Sequence, residues 1–358
     1  MSRLAHHLRD VGAFCWRVTP PRLRRTELLR KLFGSAALRV RYRTGPRFTE
    51  AILRWMEPNR GHVMYDTWLD YALSTNLRGA QVVEMLQQYQ PVRGRRALDV
   101  GCAYGGFSVA FAEAGGEAVG IDLNDELLAF AALNVADRRA PVTLARVDVT
   151  DVQRMADLGR FDFVTCSDVI EHVNDVPAAL TSLAAALHPG GILHLQIPNG
   201  ESSAAVLKDP HFQAFGITLL EGEDAQRYFA EGRFGQAYDV GFYLRLEDYA
   251  AMLAQRGVTL VGGDVRNPPA DPEAARQRVE GHLPEIEAAL ARTASDERLS
   301  ETTRRTLHDA VARWLDGVRA GLAGIADERD PARRAERLGA FVRRFAIDCW
   351  DIVARKTA

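Results

Sequence analysis

A chain of 358 residues that is 47% hydrophobic and 26% charged can bury a sizeable core, as one elaborated domain or two modest ones. No stretch approaches the roughly 20 apolar residues of a membrane span, and the start, Met1-Ser2-Arg3-Leu4-Ala5-His6-His7, lacks the apolar run of a secretory signal, so a cytoplasmic protein is expected. The formal net charge of -2 hides a divided chain: residues 1–47 hold twelve Lys or Arg against Asp10 and Glu27, an arm ten charges positive on a remainder twelve negative.

Such an arm is read either as a solvated helical face or as a surface for an anionic substrate or membrane. Nucleic acid is not expected, because aromatic residues are not interleaved at a stacking spacing. Residues 1–90 form the first region, helical, with apolar positions at helical spacing in Tyr65 to Leu73 and Val82 to Leu86; it is expected to act as a cap or lid. In the second region, 91–267, strand-like runs alternate with helical patterns. The runs are Ala97 to Val100, Ala118 to Ile121, Val142 to Val147, Phe161 to Cys166 and Ile192 to Ile197, and they predict a doubly wound α/β core with a mostly parallel sheet. A helix around Asp248 to Gln255 and a strand from Thr259 to Val265 close that region. The third region, 268–340, opens on Pro268, Pro269 and Pro272 and is Ala-, Glu- and Arg-rich helix; 341–358 ends the chain. Cys15, Cys102, Cys166 and Cys349 lie far apart without metal-ligand spacing and are expected to be reduced.

Chemistry is written at the end of the first strand, in Asp99-Val100-Gly101-Cys102-Ala103-Tyr104-Gly105-Gly106. Glycines at a strand-to-helix turn let backbone approach a ligand, and the following helix offers free N–H groups. The second strand ends in Gly120-Ile121-Asp122, where a carboxylate can accept both hydroxyl hydrogens of a ribose. Alone, this pattern also fits a degenerate dinucleotide fingerprint.

Taken together in order, five landmarks between Leu98 and Asn199 resemble the class I S-adenosylmethionine-dependent methyltransferase family. They are Asp99 to Gly105, with Ala103 where the family has its middle glycine; Asp122 at the ribose position; Asp148-Val149 at the adenine amino group; Phe161 to Val173 as the fourth-strand signature; and His188-Pro189-Gly190-Gly191 as the turn into strand five. The resemblance implies a seven-stranded sheet whose last, antiparallel strand is Cys349 to Lys356, with the 268–340 helices inserted before it as a roof or a subunit contact. S-adenosylmethionine is the implied cofactor, held by Asp99, Gly101, Ala103, Tyr104, Gly105, Asp122, Leu123, Asp148, Val149 and Ser167, with Arg78 on the methionine carboxylate.

A methyl acceptor with a hydroxyl group needs a base beside the transfer point, and His172, just beyond strand four, is the candidate, oriented by Glu171. Both residues also fit an ordinary helix start. Asp168, Glu171 and His172 resemble a magnesium-type trio of quinone-biosynthesis O-methyltransferases, although a metal is not favoured. Tyr65, Trp68, Asn199, His211 and Tyr243 are the candidate contacts to a small-molecule acceptor of natural-product or sugar type. The basic arm makes an anionic or carrier-linked acceptor eligible, and a homodimer is compatible with the composition. Two rival readings stay open: a nicotinamide-dependent oxidoreductase using the same turn, and a non-catalytic binding protein on the same fold.

Overall fold

The computed structural model describes residues 26–62, 64–235, 238–241, 243–261 and 265–357. Most of the basic arm, 1–25, and Gly262 to Asp264 of the expected sixth strand therefore lie outside the described residues. The helical cap is α1 (Thr26–Tyr42), kinked at Gly34, α2 (Pro46–Met56), α3 (Tyr65–Leu73) and α4 (Thr75–Leu86). In α2 the buried Phe48, Ile52 and Met56 recur at helical spacing, with Pro46 at its start where a missing N–H is harmless. The cap has its own apolar core, in which these residues meet Tyr65, Trp68 and Leu69 of α3 and Tyr104, Leu127 and Phe130 of the next layer.

Beyond the cap, strands and helices alternate. The order is β1 (Arg96–Val100), α5 (Gly106–Glu113), β2 (Glu117–Asp122), α6 (Asp125–Arg138), β3 (Val142–Arg146), α7 (Val152–Asp157), β4 (Phe161–Ser167), α8 (Val176–Ala185) and β5 (Leu187–Pro198). After β5 come α9 (Ser203–Leu207), α10 (Gly222–Gly232), α11 (Leu246–Gln255) and the short β6 (Val258–Leu260). Three helices follow, α12 (Pro272–Ala294), α13 (Glu301–Asp327) and α14 (Pro331–Phe345), and then β7 (Cys349–Lys356). The seven strands form one sheet in the order β3-β2-β1-β4-β5-β7-β6, and β7 runs antiparallel to both neighbours. This is the expected doubly wound fold, including its reversed last strand.

The order reverses at β1, where one chain direction leads to β2 and the other to β4, which opens a crevice at the carboxyl ends of these strands. Helix starts around the crevice are capped by side chains at Asn124, Asp151 and Asp175, each accepting from backbone N–H groups of the first turn. Helices α12 to α14 pack against the segment after β5: Trp314 Nε1 donates to the Glu201 carbonyl at 2.9 Å, and Arg344 grips the Glu201 carboxylate with two nitrogens. Among the described residues no helix is long and apolar enough to cross a membrane.

Candidate active site

The turn between β1 and α5 is a backbone device. Gly101 has φ +68°, and a Cβ there would stand 2.2 Å from Val169 Cγ2, so only glycine fits beneath the loop that follows β4. Ala103 also has positive φ, +45°, a conformation the family's glycine adopts without the steric cost that a methyl group adds. Asp99, buried at the end of β1, does not reach outward: its Oδ2 accepts the Ser108 hydroxyl at 2.7 Å and the Ser108 N–H at 3.2 Å, tying strand to helix. Burial pushes its carboxyl up to about 6, against the opposing effect of the Ser108 hydrogen bonds.

Asp122 shapes the same turn from the neighbouring strand. Its Oδ2 accepts the Ala103 N–H at 2.9 Å and its Oδ1 accepts the Asn124 N–H at 2.8 Å, leaving further lone pairs on both oxygens for ribose hydroxyls. Asp148 is set by Thr150, whose N–H and hydroxyl both donate to Oδ1. A cavity of about 540 Å³ is lined by Asp122, Leu123, Asp148, Val149, Ser167 and His172 among others. A second, of about 300 Å³, is lined by Arg78, Asp99, Gly101, Ala103, Tyr104 and Ser167 among others, and Tyr71, Gly101, Ala103, Ser167 and Asp168 border both. The two form one trough with an adenosine-sized end and a smaller polar end.

Several expected site residues take other roles. Tyr104 borders the smaller cavity, but its fully buried ring packs into the cap beside Phe48 and Phe130. Gly105, at φ +71°, caps α5 and borders neither cavity. Tyr65 and Trp68 are cap core, not acceptor contacts; Trp68 stacks on His62 at 4.7 Å, and on the same helix it is Tyr71 that faces the trough. Arg78 is held over the Tyr71 ring at 3.8 Å and donates to the Tyr71 carbonyl and the Ser74 hydroxyl. Asn199 borders neither cavity. Its Nδ2 donates to the carbonyls of Arg344 at 2.8 Å and Ile347 at 2.7 Å, which clamps the end of β5 to the approach to β7.

His172 lies in a short 3-10 turn, Ile170–His172, with its side chain 25% exposed toward the larger cavity. Its Nδ1 is 3.3 Å from the Asp239 carbonyl and its Nε2 is 4.0 Å from Oε1 of the fully buried Glu171. Behind it, the His211 ring stands edge-on at 5.2 Å, with the Tyr243 hydroxyl 3.0 Å from His211 Nδ1. Tyr243 is half-buried beside Asp209, and desolvation and that carboxylate both push its phenol well above the ordinary range. Neither His211 nor Tyr243 borders the cavities; together they back His172 rather than touch an acceptor in the trough.

The magnesium-type trio that the resemblance offered, without favouring it, is not assembled. Ligand atoms of Glu171, His172 and His211 lie within 4.8 Å of one another, and Asp168 is not part of that group. Two imidazoles with one carboxylate suit a borderline transition ion rather than magnesium, which takes oxygen ligands. The residues therefore do not fit the implied ion.

The profile of the methyltransferase domain family matches residues 77–262, just over half of the chain. The chain belongs to this family. Among curated relatives it is 33% identical over 182 residues to a ubiquinone biosynthesis O-methyltransferase of Methylococcus capsulatus, covering 50% of this chain and 70% of that protein. It is 34% identical over 109 residues to the protein of the same name from Hydrogenovibrio crunogenus, covering 30% of this chain and 45% of that one. Across relatives of that name the match thus spans from 41% to 70% of their own length. Among solved structures, magnesium protoporphyrin IX methyltransferase from Synechocystis is 18% identical, with a TM-score of 0.41 over 59% of this chain and 85% of that one.

Several residues that build this methyltransferase site were not among those expected. Tyr71 sits one turn beyond Trp68 on a helix whose pattern marked both. Gly79 and Gly106 let α4 and α5 cross at backbone contact, since a Cβ on Gly79 would stand 2.3 Å from the Gly106 carbonyl oxygen; no signal in an unaligned sequence identifies such a crossing. Thr165, His194 and Asp351 also border the smaller cavity. A polar His194 inside the apolar run Ile192 to Ile197 was the available sign.

Proposed function

We propose that this chain is an S-adenosylmethionine-dependent O-methyltransferase of a small-molecule acceptor, with His172 as general base. The observation that carries the proposal is the single trough in which the family's ribose acid, Asp122, and the exposed imidazole of His172 share one cavity. When bound, the sulfonium cofactor supplies an electrophilic methyl group. Asp122 and Asp148 hold the adenosine end, Arg78 faces the carboxylate end, and Leu123, 51% exposed at the trough's rim, offers an apolar face for the adenine.

His172 then receives the hydroxyl proton of the acceptor as the oxygen bonds to the methyl carbon. The Asp239 carbonyl accepts from Nδ1–H, which leaves Nε2 as the basic nitrogen. Glu171, buried and 4.0 Å away, steadies the imidazolium that forms. An anionic or carrier-linked acceptor and a homodimer belong to the same proposal, as does a cytoplasmic location. Calorimetry with S-adenosylhomocysteine tests the cofactor half: micromolar binding is expected, and binding of a nicotinamide dinucleotide in its place would defeat the reading.

A further inference from the structure

The donor set that does not fit magnesium is matched to a different class of ion. Ligand atoms of Glu171, His172 and His211 converge within 4.8 Å, with Glu171 and His211 buried and His172 partly exposed at the larger cavity. The loop before Tyr243 ties these pieces of chain together. Its Gly241 N–H donates to the Glu171 carbonyl at 2.6 Å, and its Asp239 carbonyl lies 3.3 Å from His172 Nδ1. The proton transfer described above leaves His211 unused.

Hydrogen bonding fixes which nitrogen of each ring keeps a lone pair. In His172 the Asp239 carbonyl takes Nδ1–H, and Nε2 keeps the pair. In His211 the assignment runs through Tyr243, whose hydroxyl donates to Asp209 Oδ1 at 3.4 Å; a carboxylate accepts only, so the hydroxyl hydrogen is committed there. The tyrosine oxygen, 3.0 Å from His211 Nδ1, then accepts from Nδ1–H, with Asp209 Oδ1 3.6 Å from the same nitrogen. Asp209 is held in turn by the N–H groups of His211 and Phe212. Nε2 of His211 therefore keeps its lone pair too. Two such imidazoles and a carboxylate, each ring anchored through its other nitrogen, are the donors that hold zinc and related transition ions. Tetrahedral zinc spaces its ligand atoms by about 3.4 Å, so the widest pair must draw in by roughly 1.4 Å. His172, on a three-residue turn at the cavity, is the member placed to move.

We propose that Glu171, His172 and His211 form an inhibitory site for a divalent transition ion of the zinc class, which shuts the enzyme by occupying its base. The inference rests on the methyltransferase reading with His172 as base. A coordinate bond from the His172 Nε2 lone pair leaves no pair to receive the acceptor's proton. A dication in the cavity that receives the cofactor's sulfonium also repels it. The metal-free chain is the active form, and chelation leaves it so.

The test titrates zinc chloride into the chelator-stripped full chain. Calorimetry is expected to give micromolar affinity for zinc and no heat with magnesium chloride. Nitrogen-15 NMR of the native protein should show zinc shifting Nε2 of the His172 and His211 rings. Closure is read without an acceptor: saturating zinc should weaken S-adenosylmethionine binding roughly tenfold, yet leave S-adenosylhomocysteine, whose sulfur is neutral, within about twofold. Any acceptor turned over by the metal-free chain should react roughly a hundredfold more slowly with zinc and recover on chelation. His211→Asn should cut zinc affinity at least about tenfold. The proposal is overturned if zinc does not bind, if it binds without moving those two rings, or if its affinity survives His211→Asn. Zinc that binds there and leaves turnover unchanged or raised overturns it as well. A His172→Ala chain with normal turnover, or a metal-free chain that does not bind S-adenosylhomocysteine, is the separate failure of the reading beneath it.

Discussion

The two ends of the trough are built in opposite ways. The adenosine end comes from short, consecutive pieces of chain, Gly101 to Ala103, Asp122 to Leu123 and Asp148 to Thr150, fixed by hydrogen bonds between the first two pieces and within the short turns of the others. The polar end draws on Tyr71, Thr165, His194, Arg266 and Asp351, which span most of the described chain. A local motif tolerates change elsewhere, whereas an end assembled from four elements and a loop depends on how the whole sheet closes.

That contrast can be broken most forcefully at Gly101. Gly101→Ala adds a Cβ at φ +68° against Val169, and a loss of roughly 2–5 kcal/mol in unfolding free energy is expected, with cofactor affinity falling alongside; an unchanged melting temperature would show that the turn is not so tightly seated. His172→Ala should lower turnover by roughly a hundredfold while calorimetric cofactor affinity holds, because the adenosine end does not need the imidazole. Normal turnover in that variant removes His172 from the chemistry.

Asp99 separates folding from binding by pH. Its folded pKa of about 6 lies above the ordinary 3.8, so the protonated form favours the fold. The contribution is fully present below about pH 4 and is lost as pH rises through 6, up to about 3 kcal/mol by pH 7. Asp99→Asn should flatten that slope, and thermal melts of both proteins between pH 4 and 7 measure it. Asn199→Ala should destabilise by about 2 kcal/mol through the carbonyls it strands, yet leave cofactor affinity within twofold, as expected of a clamp that borders neither cavity. The smallest effect is expected from chelation: turnover after exhaustive treatment with a chelator should stay within about twofold, and a larger loss would make His172 a metal ligand instead of a base.

The sequence was legible where chemistry is local. Strands one to five, the reversed strand from Cys349 and the contacts of Asp122, Asp148 and His172 with the trough follow from contiguous signatures. Asn199, Tyr65 and Trp68 were misassigned because a polar or aromatic residue near a ligand-bearing loop has the same local pattern whether it faces a cavity or a neighbouring helix; burial decides, and burial is a property of the packed chain. The metal trio failed for a similar reason: Glu171 and His172 are adjacent in sequence, but the third donor comes from His211, beyond β5. His194 could not be read from the sequence as part of the trough, since an isolated histidine in an apolar strand says nothing of the carboxylate that Asp351 brings from 157 residues away.

The placement of β7 between β5 and β6 has a consequence for synthesis. While ribosomes extend the chain through α12 to α14, every glycine and acid of the cofactor cradle has already emerged, but β5 still shows an unpaired edge. Ordering of the polar end must wait for residues 349–356, because Asp351 borders it, whereas the strands that carry the larger cavity are paired before β7 is made.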